Sequence, residues 1–194
     1  MFPLCHWWWL KMKHIKDEEF IRGNIPMTKF EVRVLTLALL EIEEEDAFLD
    51  IGGGTGSISI ECALNGARVH TIEREEEGIE LIGKNAHKFN VKINAVKGSA
   101  PDDLPEDIRF NKCFIGGSGG NLSSILKYID SHLAHGGIVC ANFITIKNLN
   151  EFIELLESHG YKNIETRLVQ VSNMDRLGLL KANNPVFIIR GTKP

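Results

Sequence analysis

Apolar residues in this chain come in short blocks separated by glycines and acids, and the spacing within each block distinguishes strand from helix. Ala47 to Ile51 is a compact apolar run that ends in glycines, and Ile58, Ile60, Ala63 and Leu64 follow at helical intervals. The same alternation then repeats. Val69 to Ile72 predicts a second strand, Glu75 to Phe89 a helix with Ile79, Ile82, Ala86 and Phe89 on one face, and Ile93 to Val96 a third strand. Lys112 to Ile115 predicts a fourth strand. Asn121 to Leu133 predicts a helix ended by Gly136-Gly137, and Ile138 to Ile144 a fifth strand. A helix over Leu149, Phe152, Ile153, Leu155 and Leu156 leads to two closing strands, Ile164 to Val171 and Val186 to Arg190. Ser172 to Pro185 shows no helical pattern, so this last pair is expected to be antiparallel. The predicted fold is α/β, a three-layer Rossmann-like sheet of seven strands, mostly parallel with an antiparallel C-terminal strand.

One helix precedes this series. Thr28 stands three residues ahead of Glu31, the spacing of a capping box, and Phe30, Val32, Val34, Leu35, Leu37, Leu39, Leu40 and Ile42 make the following segment apolar nearly all round. Such a helix packs on the sheet and also covers a ligand pocket or another subunit.

With 194 residues and 43% hydrophobic content, the chain suits one domain, taken as residues 15–194. Residues 1–14 read as an irregular extension. Its three adjacent tryptophans suggest either a start codon assigned too far upstream or an aromatic anchor for a membrane or a subunit. A net charge of −4 with scattered lysines and arginines argues against a nucleic-acid partner. Cys5, Cys62, Cys113 and Cys140 form no C-x-x-C pair and are expected as core thiols in a reducing cytoplasm. No apolar stretch reaches the ~18 residues of a bilayer span, so no membrane partner is expected.

Asp50-Ile-Gly-Gly-Gly-Thr-Gly56 carries the clearest chemistry. Glycines 52, 54 and 56 permit positive φ and leave no Cβ in the way of a ligand, while the helix opening at Thr55 to Ser57 offers unpaired N–H groups to an anion. Ser57 replaces the third glycine of a dinucleotide fingerprint, which disfavours NAD. Glu73 ends the next strand about 20 residues on, where a carboxylate accepts hydrogen bonds from ribose hydroxyls. Gly98-Ser99-Ala100-Pro101 ends the third strand on the side where the adenine would lie. His132 and His135 have i, i+3 spacing but sit near a helix end, which favours imidazolium over a metal; no metal site is expected.

The glycine segment with Glu73 resembles the S-adenosyl-L-methionine-binding core of class I methyltransferases. More narrowly, Pro26-Met-Thr-Lys-Phe-Glu-Val-Arg33, Gly116-Gly-Ser-Gly-Gly120 and Asn184-Pro185 are similar to the decarboxylating cobalt-precorrin (C15)-methyltransferases of cobalamin biosynthesis. The resemblance implies that Thr28, Asp50, Gly52, Gly53, Gly54, Thr55, Gly56, Glu73, Ser99 and Ala100 surround S-adenosyl-L-methionine. The loop would hold the methionine end, Glu73 the ribose and the Ala100 N–H the adenine edge. Thr28 reads equally as a plain helix cap. Many class I enzymes carry an acid where this chain has Ser99, which weakens the adenine contact there.

The implied substrate is a tetrapyrrole rich in carboxylates. Arg33 is the leading candidate cation, ahead of Arg22, Arg176 and Lys181, against the alternative of an exposed solubilising charge. Gly116, Gly117, Ser118, Gly119 and Gly120 are expected to admit the flat substrate. The resemblance also implies a homo-oligomer, a tetramer. A methyltransferase acting on another small molecule, a nicotinamide-dependent oxidoreductase and a silent nucleoside-binding module are the other readings. No residue is singled out as catalytic.

Overall fold

The computed structural model describes residues 14–194, so the expectations for the tryptophan run and for Cys5 fall outside the described residues. Its centre is a seven-stranded sheet in the order β3-β2-β1-β4-β5-β9-β6. The strands are β1 (Ala47–Ile51), β2 (Arg68–Glu73), β3 (Ile93–Lys97), β4 (Phe110–Ile115), β5 (Leu133–Phe143), β6 (Lys162–Val169) and β9 (Val186–Thr192). Strands β1 to β5 pair in parallel, and β9 runs antiparallel between β5 and β6. Two strands of three residues, β7 (Ser172–Met174) and β8 (Leu180–Ala182), form a separate hairpin inside the segment that carried no helical pattern.

Helices cover both faces. The helices α4 (Leu122–His132) and α5 (Ile146–Ser158) pack Ile125, Leu126, Ile129, Phe152 and Leu156 against Ile115, Val139 and Ala141 in the larger core cluster. Each such side chain, fully buried, contributes about 1.5–3 kcal/mol. On the opposite face, α1 (Phe30–Leu40) and α2 (Ser57–Leu64) place Leu37, Leu40, Ile58 and Cys62 on Phe48, Val69, Phe114 and Cys140. Helix α3 (Glu76–Lys88) lies beside α2 and β3.

Two expected boundaries move. The Gly136-Gly137 pair lies inside β5 and does not end α4; Gly136 N–H and Lys193 N–H bond across to the carbonyls of Lys193 and Gly137, extending the β5–β9 ladder. Helix α1 starts one residue later than a Thr28 cap requires: Lys29 is the N-cap, no side chain caps the helix, and Glu31 is exposed. The capping-box reading is therefore incorrect. His14, assigned from sequence to the extension, packs in the domain with its Nδ1 2.6 Å from Glu61 Oε2.

Cys62, Cys113 and Cys140 are free and buried. Burial pushes all three thiols up, that of Cys140 to about 12, so none is a nucleophile at neutral pH. Among the described residues no helix is long and apolar enough to cross a membrane.

Candidate active site

The strand order reverses between β1 and β4, and in open α/β sheets ligands bind in the crevice such a reversal opens beyond the strand ends. Both strands run there into glycine. Gly116 N–H donates to the Ile51 carbonyl at 2.8 Å, and Gly52 N–H to the Ile72 carbonyl at 2.9 Å. Gly52, Gly54 and Gly56 take φ of 77°, 57° and 78°. A Cβ on Gly52 would sit 2.7 Å from Gly117 N, and one on Gly116 2.9 Å from Gly52 O. The two glycine segments thus lie main chain against main chain, which only residues without a side chain allow.

Two contiguous cavities open from this crook and share Pro26, Gly52, Gly54 and Gly116. The larger, about 350 Å³, is bounded by Glu73, Ser99, Ala100 and Gly116 to Gly119. Glu73 is 7% exposed. Its Oε2 accepts the Gly54 N–H at 2.8 Å and its Oε1 the Glu75 N–H at 2.9 Å, which ties the β2 tip to the glycine turn. Each oxygen keeps a lone pair for a further donor. The Ser99 N–H donates to Asp103 Oδ2 at 2.8 Å, which fixes this turn; Asp103 itself does not line the cavity.

The second cavity, about 230 Å³, is lined by Thr28, Asp50, Gly53 and Thr55 on one side and by Asn142, Val169, Val186 and Asn184 on the other. Asp50 is 1% exposed. The Ser59 hydroxyl donates to its Oδ2 at 2.6 Å, and its Oδ1 has no partner. Burial is the main reason its carboxyl is raised from 3.8 to about 7; the Ser59 hydrogen bond opposes that rise and the nearby Glu73 charge adds to it. Asp50 lines this cavity, and a buried carboxylate oxygen without a partner is a place for a ligand cation or donor. Thr55 Oγ1 is buried and unpartnered too.

Other expected site residues divide differently. Gly56 lies beneath the turn as the N-cap of α2, against Ile82. Gly117 and Gly120 face open space, and Gly119 and Gly120 have positive φ, so this segment is free to approach a bulky ligand.

Arg33 is the clear departure. It is 0% exposed, and its guanidinium bonds Glu61 Oε1 at 2.6 Å, Asp17 Oδ1 at 3.0 Å, the Thr28 carbonyl at 2.7 Å and the Ile15 carbonyl. The Phe20 ring lies 4.9 Å from it. Fully buried and with four of its five N–H groups bonded, Arg33 is not among the residues that line the cavities; it straps residues 15–28 onto α1 and α2. Asn85 bonds the backbone of Ile21 and Thr55, tying the same segment to the glycine turn. The strap carries Pro26 and Thr28 into the site.

Asn142 was not anticipated. Its signal is a polar residue inside the apolar run Ile138 to Phe143, one position beyond the Ile115–Ala141 pairing. His132 and His135 face separate main-chain carbonyls, those of Tyr128 and Glu106 for one and of Pro194 for the other.

A glycine crook at a switch point, an acid at the tip of β2 and a second cavity beside the first define a group-transfer enzyme of the methyltransferase fold. The comparisons narrow this. Residues 19–193 match the family model described as precorrin methyltransferase domain. The chain is 38% identical over 190 residues to a probable cobalt-precorrin-6B C(15)-methyltransferase (decarboxylating) of Saccharolobus solfataricus, covering 93% of this chain and 96% of that one. It is 37% identical over 182 residues to the Salmonella typhimurium cobalt-precorrin-6B C(15)-methyltransferase (decarboxylating), covering 90% and 94%. A solved precorrin-6y C5,15-methyltransferase of Geobacter metallireducens superposes with a TM-score of 0.87 at 33% identity, covering 93% of this chain and 97% of that one. The chain belongs to the precorrin methyltransferase family.

Proposed function

We propose that the protein methylates C15 of a cobalt-precorrin tetrapyrrole, using S-adenosyl-L-methionine as donor, and that the ring loses an acetate carboxyl as CO₂. Two contiguous cavities meeting at Gly52 and Gly116 carry this reading, because a donor and an acceptor bound on either side would be neighbours at that point. The residues suit a sulfonium nucleoside: close main-chain packing of Gly52 on Gly117 and of Gly54 on Pro26 shapes the crook that borders both cavities, and the unpartnered Asp50 Oδ1 offers an acceptor to the cationic amino-acid end. Glu73 would take the ribose hydroxyls, and Ser99 and Ala100 would border the adenine. When bound, the donor supplies an electrophilic methyl carbon with a neutral thioether as leaving group.

This chain's own contribution is placement, the largest factor available for an in-line displacement that needs little acid–base help. The crook fixes one partner through main-chain atoms. Asp50 and Thr28 border its far end. The aliphatic wall of Ile144, Val169, Val171 and Val186 offers a flat macrocycle an apolar surface. Loss of CO₂ breaks the bond between the carboxyl and the acetate methylene, leaves the electron pair in the conjugated ring, and ends when a proton reaches the methylene carbon.

The exposed residues Leu168, Met174, Leu177, Leu179 and Leu180 on β6 and the β7–β8 hairpin support assembly into the tetramer implied by resemblance. Work in the cytoplasm fits a pathway enzyme of this kind. Calorimetry with S-adenosyl-L-methionine and with NAD tests the donor: micromolar binding of the first alone is expected, and binding of NAD alone overturns the reading.

A further inference from the structure

Asn142 stands where the glycine crook meets the aliphatic wall. On β4 and β5, Phe114 pairs with Cys140 on the face that also carries Asp50; Asn142 follows two residues on, on that same face and beside Gly116. It bounds the second cavity directly.

Thr36 of α1 sets its orientation. The Thr36 hydroxyl has one hydrogen and donates it to the Val32 carbonyl at 2.8 Å. Asn142 Nδ2 and Oδ1 both lie 3.3 Å from it, and with its hydrogen on Val32 it accepts from the Nδ2 end of the amide. Asn142 therefore spends one N–H on Thr36. Its second N–H and its Oδ1 have no other partner among the described residues. The wall beyond it holds the further amides Asn183 and Asn184 and four aliphatic residues, while the charged side chains that line this cavity, Lys29, Glu31 and Asp50, come from the residue before α1, from α1 and from β1.

We infer that Asn142, oriented by Thr36, is the substrate-positioning amide of this enzyme: it donates its free N–H to a carboxylate or carbonyl on the edge of the tetrapyrrole and so aligns the acceptor carbon with the cofactor's methyl group. The inference rests on the methyl-transfer reading above. A neutral amide suits position 142 because the buried Asp50 lies on the same sheet face, where a cation on β5 would be drawn to that carboxylate; Lys29, which also lines the cavity, stands before α1 and not on the sheet.

Three variants test it: Asn142→Ala, the near-isosteric Asn142→Asp, and Thr36→Val, which keeps the amide but frees its rotation. Each is measured for thermal unfolding, cofactor affinity by calorimetry, and steady-state turnover of a cobalt-precorrin. Asn142→Ala is expected to hold cofactor affinity within about threefold and to lose ~10–100-fold in kcat/KM, the worth of a hydrogen bond to a charged group. Asn142→Asp should raise KM further than Ala, since its carboxylate opposes a polycarboxylate substrate. Thr36→Val should lose ~3–10-fold, chiefly in kcat, because orientation rather than contact is lost.

Unchanged kcat/KM in Asn142→Ala overturns the inference, as does a loss matched by an equal fall in cofactor affinity. If Asn142→Ala does not fold, a KM for Asn142→Asp equal to wild type overturns it instead. Wild-type protein that binds the cofactor but methylates no cobalt-precorrin defeats the functional reading itself, and this inference with it; active wild type with unimpaired variants defeats only the inference.

Discussion

The two sides of the site are built by different means. At the glycine crook, the side proposed for the donor, the chain works with its backbone: three positive-φ glycines, a main-chain contact between Gly52 and Gly117, and one carboxylate, Glu73, holding two N–H groups. On the wall proposed for the acceptor it works with side chains scattered over three strands and a loop: Asn142 on β5, Val169 on β6, Val186 on β9, and Asn184 in the loop before it. Backbone geometry demands particular residues at fixed spacing and tolerates little change. A wall of amides and aliphatic groups can be assembled from many sequences, so it is the part free to vary with substrate.

The largest effect should come from neither wall but from the strap that joins them. Arg33→Ala removes the buried cation paired with Glu61 and leaves that carboxylate only its His14 contact, which costs about 3–5 kcal/mol. Chemical denaturation should show this as a fall in midpoint, while a Lys at Arg22, exposed in the strap, should change nothing.

Gly52→Ala breaks the comparison on the donor side. The added methyl meets Gly117 N at 2.7 Å in a backbone conformation that L residues avoid, so the turn must shift. A displacement of about 1 Å at a reacting centre costs on the order of 100-fold, and the loss should appear in cofactor affinity measured by calorimetry. The complementary change on the acceptor side, Val186→Ala, should leave that affinity unaltered and raise KM for the tetrapyrrole.

Asp50 lies between the two walls, and its proton reports on both. The unfolded carboxyl titrates near 3.8 and the folded one near 7, so between these values the native state holds a proton that the unfolded state has lost. Stability should accordingly fall as pH rises from about 4 to 7, and level off above. Asp50→Asn should flatten that slope in thermal scans at stepped pH. A cationic ligand end facing the carboxylate favours its charged form, so wild-type cofactor affinity should rise with pH through 7, and the variant's should not.

The smallest effect on the fold is expected at the hairpin. Leu177 and Leu180 are 85% and 66% exposed, so Leu177→Glu with Leu180→Glu should barely move the unfolding midpoint. Light scattering should show the double variant as a smaller species than wild type; an unchanged mass in both would remove the hairpin from any interface.

This contrast also explains what was legible in the amino-acid order. Strands β1, β4 and β5 and the crook were readable because buried parallel strands give apolar runs and the turn gives a glycine rhythm; the more exposed β3 and β6 showed only as short apolar stretches between helices or loops. The β7–β8 hairpin was not, since strands of three exposed residues carry no alternation of burial. Arg33 was misread as a substrate cation because its partners Glu61 and Asp17 are distant in sequence and only the fold brings them together. The Gly136-Gly137 pair signalled a helix end, but ladder bonds from Lys193, at the far end of the chain, make it strand. Asn142 lacked any motif; its meaning depends on Thr36, contributed by another element.

The most direct test of the account is a single-turnover experiment with excess enzyme, cobalt-precorrin-6B and methyl-labelled S-adenosyl-L-methionine, counting label in the ring and CO₂ released. One methyl gained and one CO₂ lost per ring is the expected result. Label that never enters the ring while the cofactor is bound at the crook would contradict it.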